Sequence, residues 1–180
     1  MTDESVFIEE LKSTKHRDKA FAKLLDAYQQ RLYWHVRKLV TSHEDANDVL
    51  QNTFIRIYKG LERFQQKSSL HTWMYRIAYN ESMRFIEKNK SKYYTSIEDV
   101  SDKYLNNLED DVYFEGNEIQ LKLQQLVSSM SEKQRRVFQM KYFDDLKFRE
   151  ISEILNIKEA TLKSIYYAAV KHIEENILNS

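Results

Sequence analysis

Thr72, Arg76 and Asn80 stand four residues apart, with Trp73 and Tyr75 among them. A hydroxyl, a guanidinium and a carboxamide in one row can hydrogen-bond to base edges and phosphates. Neighbouring aromatic rings can stack on bases, so the chemistry offered is recognition of unstacked nucleotides. Bond-making chemistry has little to draw on. There is no cysteine, which excludes thiol nucleophiles, disulfides and cysteine-ligated zinc. The five histidines, His16, His35, His43, His71 and His172, are scattered without metal-ligand spacing, and no glycine-rich phosphate loop or nucleophile motif occurs. The expectation is a protein with no catalytic residues, no metal, no cofactor and no small-molecule substrate.

Those residues need a helix to align them. Leu70, Trp73, Met74, Ile77 and Ala78 recur at helical spacing and predict a buried stripe, which leaves Thr72, Arg76 and Asn80 on another face. Gln65 to Ser69 reads as an exposed loop with Ser69 as N-cap. Taken alone, an ordinary amphipathic core helix fits the same pattern. Two glycines, no proline and abundant Lys, Glu, Leu and Gln in 180 residues predict an all-α fold of helices joined by short polar loops. No apolar run is long enough to span a bilayer, and the acidic N-terminus lacks a signal-peptide core; the reading is a soluble, cytoplasmic protein without membrane insertion.

Charge divides the chain. The formal net charge is zero, but residues 1–94 carry 17 basic and 12 acidic side chains, residues 95–130 carry 2 and 8, and residues 131–180 carry 9 and 8. The pattern predicts two helical units, 1–94 and 119–180, joined by an acidic linker over 95–118 that leaves them free to move. In the first unit a short helix is expected at Val6–Leu11, a longer one from Asp18 to about Val40, and a third from His43 to Phe64 behind the capping box Ser42/Asp45. On that third helix Asp48, Gln51 and Ile55, with Asn52 beside them, lie on a face the core does not need. Docking on a partner helix and a solvated face with one stray isoleucine both fit. The linker has no firm periodicity beyond a partial helical turn around 104–108. In the second unit, helices are expected from Ile119 and, behind Ser131/Gln134, to Phe143. Asp144 and Asp145 then turn the chain into a helix-turn-helix layout. Ile151, Ile154 and Leu155 face inward, Asn156 takes the left-handed turn, and the next helix directs Leu162, Ile165, Ala169 and Ile173 inward. Glu159, Lys163, Ser164, Tyr167 and Lys171 then point outward; a DNA-reading helix and a structural hairpin are both compatible.

Three blocks, Asp45–Phe64, Leu70–Asn80 and Ser131–Ser164, together resemble bacterial RNA polymerase sigma factors of the extracytoplasmic-function group within the sigma-70 family. That resemblance implies a region 2 bundle, a region 4 helix-turn-helix, and core RNA polymerase and promoter DNA as partners. It implies core-polymerase docking by Asp45, Asp48, Gln51, Asn52, Phe54 and Ile55, with Asn47 in place of the family's usual glutamate. It implies minus-ten recognition and strand opening by Gln66, Lys67, Ser68, His71, Thr72, Trp73, Tyr75, Arg76, Asn80 and Arg84. Arg84 and Glu87 reverse the charges common in the family. Minus-thirty-five recognition falls to Glu159, Thr161, Lys163, Ser164, Tyr167 and Lys171. Ile165, Ala168 and Val170 stand where relatives often carry arginine, which predicts weaker duplex binding and a shallower salt dependence. The acidic linker would permit an anti-sigma factor to clamp the units. The rival is a helix-turn-helix regulator acting without polymerase.

Overall fold

A computed structural model describes residues 3–40, 42–93, 108, 111 and 116–177. Most of the acidic linker, including all of the turn expected at 104–108 except Leu108, lies outside the described residues. Among the described residues the fold is helical without strands. The order is α1 (Asp3–Lys12), α2 (Arg17–Arg37), α3 (His43–Gly60), a 3-10 turn (Leu61–Arg63), α4 (Leu70–Lys88), α5 (Lys90–Tyr93), α6 (Glu118–Ser128), α7 (Glu132–Tyr142), α8 (Phe148–Leu155) and α9 (Glu159–Ile177).

Local chemistry sets several of these boundaries. The Asp45 backbone N–H donates to the Ser42 hydroxyl at 3.2 Å, and that of Thr72 donates to Ser69 Oγ at 3.1 Å. Each bond satisfies one of the donors a helix start leaves without an intrahelical partner. Ser131 caps α7 by accepting from the Gln134 backbone N–H at 3.4 Å. Asn156 ends α8 with φ 55° and ψ 44°, the left-handed conformation its short amide side chain tolerates. The α3 helix stops at Gly60, short of the expected Phe64, and tightens into the 3-10 turn. A Cβ on Gly60 would lie 3.0 Å from Trp73 Cζ2, so glycine gives the indole of α4 its place.

Helices α2, α3 and α4 pack mutually and close the N-terminal bundle. Leu24, Leu32, Val36, Val49, Ile57 and Met74 form its fully buried centre. Helix α1, whose purpose the sequence does not reveal, adds Ile8 and Leu11 to that core, and its Glu4 carboxylate accepts from the Leu70 backbone N–H at 2.9 Å. The C-terminal unit has a smaller core of Val127, Met130, Phe138, Ala169 and Ile173. Helix α7 serves both: Phe138 enters the smaller core, whereas Val137 and Met140 join the N-terminal cluster with Leu146, Ile151, Ile154 and Leu162. The two units are therefore packed together through continuous apolar contact, which differs from the free movement expected across a long acidic linker. The physical reason is apolar: the inner sides of α7 and α8 have more buried surface than their own small unit can cover.

Candidate functional site

The α4 surface begins with the loop after Phe64. Gln66 takes φ 54°, and Gln66 and Lys67 are exposed with Ser68 half-buried. Inside the loop, the Phe64 and Trp73 rings lie 4.7 Å apart. Tyr75 is 1 % exposed, with its ring 4.9 Å from His35 and 4.5 Å from His71. Burial raises the Tyr75 phenol above its ordinary pKa and, with the Arg31 charge, lowers that of His71. Both rings are thus favoured in the neutral form. Trp73 and Ile77 are half-buried, while Leu70, Met74 and Ala78 complete the inner stripe.

The face left over is not empty. Thr72 is 1 % exposed; its hydroxyl donates to Glu150 Oε1 of α8 at 2.8 Å. Arg76 donates to Glu153 Oε2 of α8 at 2.8 Å, and its buried Nε has no hydrogen-bond partner among the described residues. Next along α4, the Tyr79 hydroxyl accepts from Arg136 of α7 at 3.1 Å. Only Asn80 of the row is exposed. The Arg76–Glu153 pair, with side chains 37 % and 32 % exposed, contributes on the order of 0.2–1 kcal/mol. The apolar contact beneath it therefore supplies most of the attraction.

On α3 the structure divides the first block. Asp45 is buried and accepts from the Tyr93 hydroxyl and the Lys92 ammonium, each at 2.6 Å. Burial alone would raise its carboxyl, but these two partners hold it below the ordinary 3.8. Phe54 is also interior, edge-on to Phe21 at 6.4 Å. Asp48, Gln51, Asn52 and Ile55 reach solvent, Ile55 with 45 % of its surface. A groove flanks Ile55 on either side, one between α2 and α3 and one between α3 and α4. In the second, Glu81 joins the helices by pairing with Arg56 at 2.5 Å and with Arg84. Arg84 is exposed and its pair with Glu81 lies within α4, so the link between the helices is Arg56–Glu81, and Glu87 pairs with Lys90 at 2.5 Å.

Helices α8 and α9 form the helix-turn-helix. Glu159, Thr161, Lys163, Ser164, Tyr167 and Lys171 are all exposed, Tyr167 by 62 %. Their contacts stay within the helix-turn-helix: the Ser164 hydroxyl donates to the Ala160 carbonyl at 3.2 Å, Lys171 lies 3.8 Å from Glu175, and the Lys163 ammonium lies 6.0 Å over the Phe148 ring of α8.

Two buried ionic groups were not legible in the sequence. Asp144, read as a turn residue, accepts from Lys38 Nζ and pairs with His35 Nδ1, each at 2.6 Å, across the junction between the units. Burial would raise the Asp144 carboxyl, but the Lys38 charge and His35 overrule it and hold it below 3.8. Asp111, from the acidic linker, is fully buried against α2, accepting from Arg37 Nε at 2.7 Å and from the Tyr33 hydroxyl at 2.6 Å. The partners lie 74 to 109 positions apart, so no local spacing announces them.

Residues 24–92 match the Sigma-70 region 2 family, and residues 120–173 match Sigma-70, region 4. The ECF RNA polymerase sigma factor SigW of Bacillus subtilis is 33 % identical over 163 residues, covering 86 % of this chain and 87 % of that protein. The ECF RNA polymerase sigma-E factor of Escherichia coli K12 is 27 % identical over 173 residues, covering 91 % and 89 %. The chain belongs to the extracytoplasmic-function sigma factors of the sigma-70 family. Two solved structures share the fold: CnrH in complex with the cytosolic domain of CnrY, with TM-score 0.69, 15 % identity and coverage of 98 % and 99 %; and the sigma factor RpoE in complex with the anti-sigma factor NepR from Bartonella quintana, with TM-score 0.67, 19 % identity and coverage of 89 % and 97 %.

Proposed function

We propose that this chain is a transcription initiation factor that binds core RNA polymerase, brings it to a bipartite promoter and supports strand opening. The observation that carries the reading is the presence of three separate surfaces in one chain of this family, on α3, at the start of α4 and on α9. A regulator acting without polymerase has no use for the first. Exposed Ile55 ringed by Asp48, Gln51 and Asn52 suits reversible docking, because an apolar contact with a polar rim releases without leaving a large bare patch. The loop before α4, with Thr72, Trp73, Arg76 and Asn80, is assigned to the opened minus-ten strand. There, stacking and hydrogen bonds to an extruded base offset an unstacking cost of about a few kcal/mol. The outer face of α9 is assigned to the minus-thirty-five major groove.

In this reading the protein makes and breaks no covalent bonds; nucleotide addition belongs to the polymerase. Its place of action is the cytoplasm, and no helix among the described residues is long and apolar enough to cross a membrane. Domain limits of 1–94 and 119–180 with a linker between them follow from the same assignment, and an anti-sigma protein is a partner the family makes reasonable.

Run-off transcription with purified protein, core polymerase and a random promoter library tests the proposal: RNA should start at specific sites only when both proteins are present. Absence of core-dependent initiation throughout the library would sink it. Replacing Asp48 and Gln51 together by Ala should weaken core binding about tenfold, the loss of roughly 1.4 kcal/mol, with helicity unchanged. Asn80→Ala should reduce permanganate reactivity of the opened strand more than it reduces duplex binding.

A further inference from the structure

The loop Gln65 to Ser69, assigned above to the opened strand, is held on both sides by the N-terminal segment. At its exit, Glu4 of α1 accepts from the Leu70 backbone N–H at 2.9 Å. At its entry, α1 packs on the 3-10 turn, where Leu61 shares one core with Ile8 and Leu11. Arg17, at the start of α2, pairs with Glu62 of that turn at 2.6 Å and donates to the Tyr58 carbonyl. We infer that α1 is a brace for the strand-opening loop and that Glu4 is its positioning residue, fixing the loop's exit at Leu70 while Ile8, Leu11 and Arg17 fix its entry.

The start of a helix leaves backbone donors without intrahelical partners. Ser69 takes that of Thr72, and Glu4 takes that of Leu70, so the two acceptors together fix the angle at which the chain enters α4. The next residue is held from α2, with the Tyr28 hydroxyl 3.3 Å from His71 Nδ1. Backbone conformation inside the loop supports the same role. Gln66 has φ 54°, a left-handed conformation that costs a non-glycine residue energy and persists only where the surroundings over-determine it. Its side chain is exposed, so burial does not supply that constraint; two fixed stems do. The Phe64 and Trp73 rings, one before the loop and one after it, lie 4.7 Å apart and keep this spacing only while both stems stay in place. Glu4 is an anion and repels phosphate. Its effect on DNA therefore runs through Leu70 and the loop, without direct contact.

This inference rests on the sigma-factor reading, and its test separates the two. Glu4→Ala removes the acceptor, whereas Glu4→Gln keeps an oxygen for the Leu70 N–H; Glu4 is exposed, so both variants should fold, as circular dichroism checks. Amide exchange of Leu70 in the free protein, read by NMR, should quicken about fivefold in the Ala variant, the size that one hydrogen bond carries, and stay near the parent in the Gln variant. Each protein is then assembled with core polymerase on a promoter recovered from the random library with the parent. Glu4→Ala should slow the appearance of permanganate-reactive bases about fivefold, with core affinity and duplex binding unchanged. Glu4→Gln should restore the rate. On the same promoter with its minus-ten segment already opened by mismatches, parent and Ala variant should start RNA equally well, because the step the loop assists has been bypassed. Unchanged Leu70 exchange, a Gln variant no better than Ala, or equal losses in opening and duplex binding would overturn the brace while core-dependent initiation by the parent keeps the sigma reading standing. Absence of initiation by the parent on every library member overturns that reading, and the role given to α1 falls with it.

Discussion

The surfaces on α4 and α9 are assigned to the same promoter, yet the structure treats them in opposite ways. On α4, Thr72 and Arg76 are held by acidic groups from elsewhere in the chain, and Tyr75 is buried. On α9, all six candidate residues face solvent, and their contacts stay within the helix-turn-helix: Ser164 on Ala160, Lys171 near Glu175 and Lys163 over the Phe148 ring of α8. The difference follows the nature of each target. A duplex keeps its bases stacked and can be read by a rigid, permanently exposed helix. A melted strand needs a surface that offers aromatic and polar groups together, and such a surface attracts other partners when DNA is absent.

The strongest way to break this contrast is to open the junction at its buried charge. Asp144→Ala strands Lys38 and His35 without their carboxylate, and loss of one partner from a buried pair costs about 3–5 kcal/mol. A lowered urea midpoint, with the α4 face newly accessible to hydrogen exchange, would check it. Acid should act in the same direction but less abruptly. Because its folded pKa lies below 3.8, Asp144 contributes its full share of stability above the unfolded value. That share is lost as pH falls through the folded one. Equilibrium unfolding followed from pH 6 to pH 2.5 should show the decline only below about pH 4. On the other surface, Lys163→Ala should weaken duplex binding by about 1 kcal/mol and flatten its salt dependence. The urea midpoint should stay unchanged, which sharpens the independence of the outer face of α9 from the buried junction. The smallest effect is expected at Gly60→Ala. Gain in helix propensity, about 1 kcal/mol, opposes crowding of a Cβ 3.0 Å from Trp73. Stability should stay within about 1 kcal/mol of the parent, and the tryptophan emission should report the displaced ring.

Periodicity and capping are local, and they made the helices readable. Ser42, Ser69, Ser131 and Asn156 cap or end the helices predicted from them. The exposed Ile55 stood out because an apolar residue interrupted a polar face. Interior roles for Asp45 and Phe54 were less visible, since a motif records which residues recur and not which of them touch solvent. Least visible were Asp144, Asp111 and the α8 glutamates. A carboxylate in a turn, a linker or an amphipathic helix looks solvated until the fold brings Lys38, Arg37 or Arg76 to it from a distant part of the chain. Glu4 illustrates the same point from the N-terminus: its bond to the Leu70 backbone spans 66 positions.

The buried Asp111 also sets a tether length. Between Tyr93 and Glu118 the chain has 24 intervening residues, but only six lie between Asp111 and Glu118. While Asp111 stays on Arg37, α6 to α9 are leashed by the shorter segment. Where closure cost scales with the logarithm of the connecting length, a fourfold shorter connection lowers the entropy cost of docking by about 1.2 kcal/mol, an approximately eightfold rise in local concentration. Releasing that one carboxylate would quadruple the leash and let the C-terminal unit sample a volume suited to promoter elements that lie far apart.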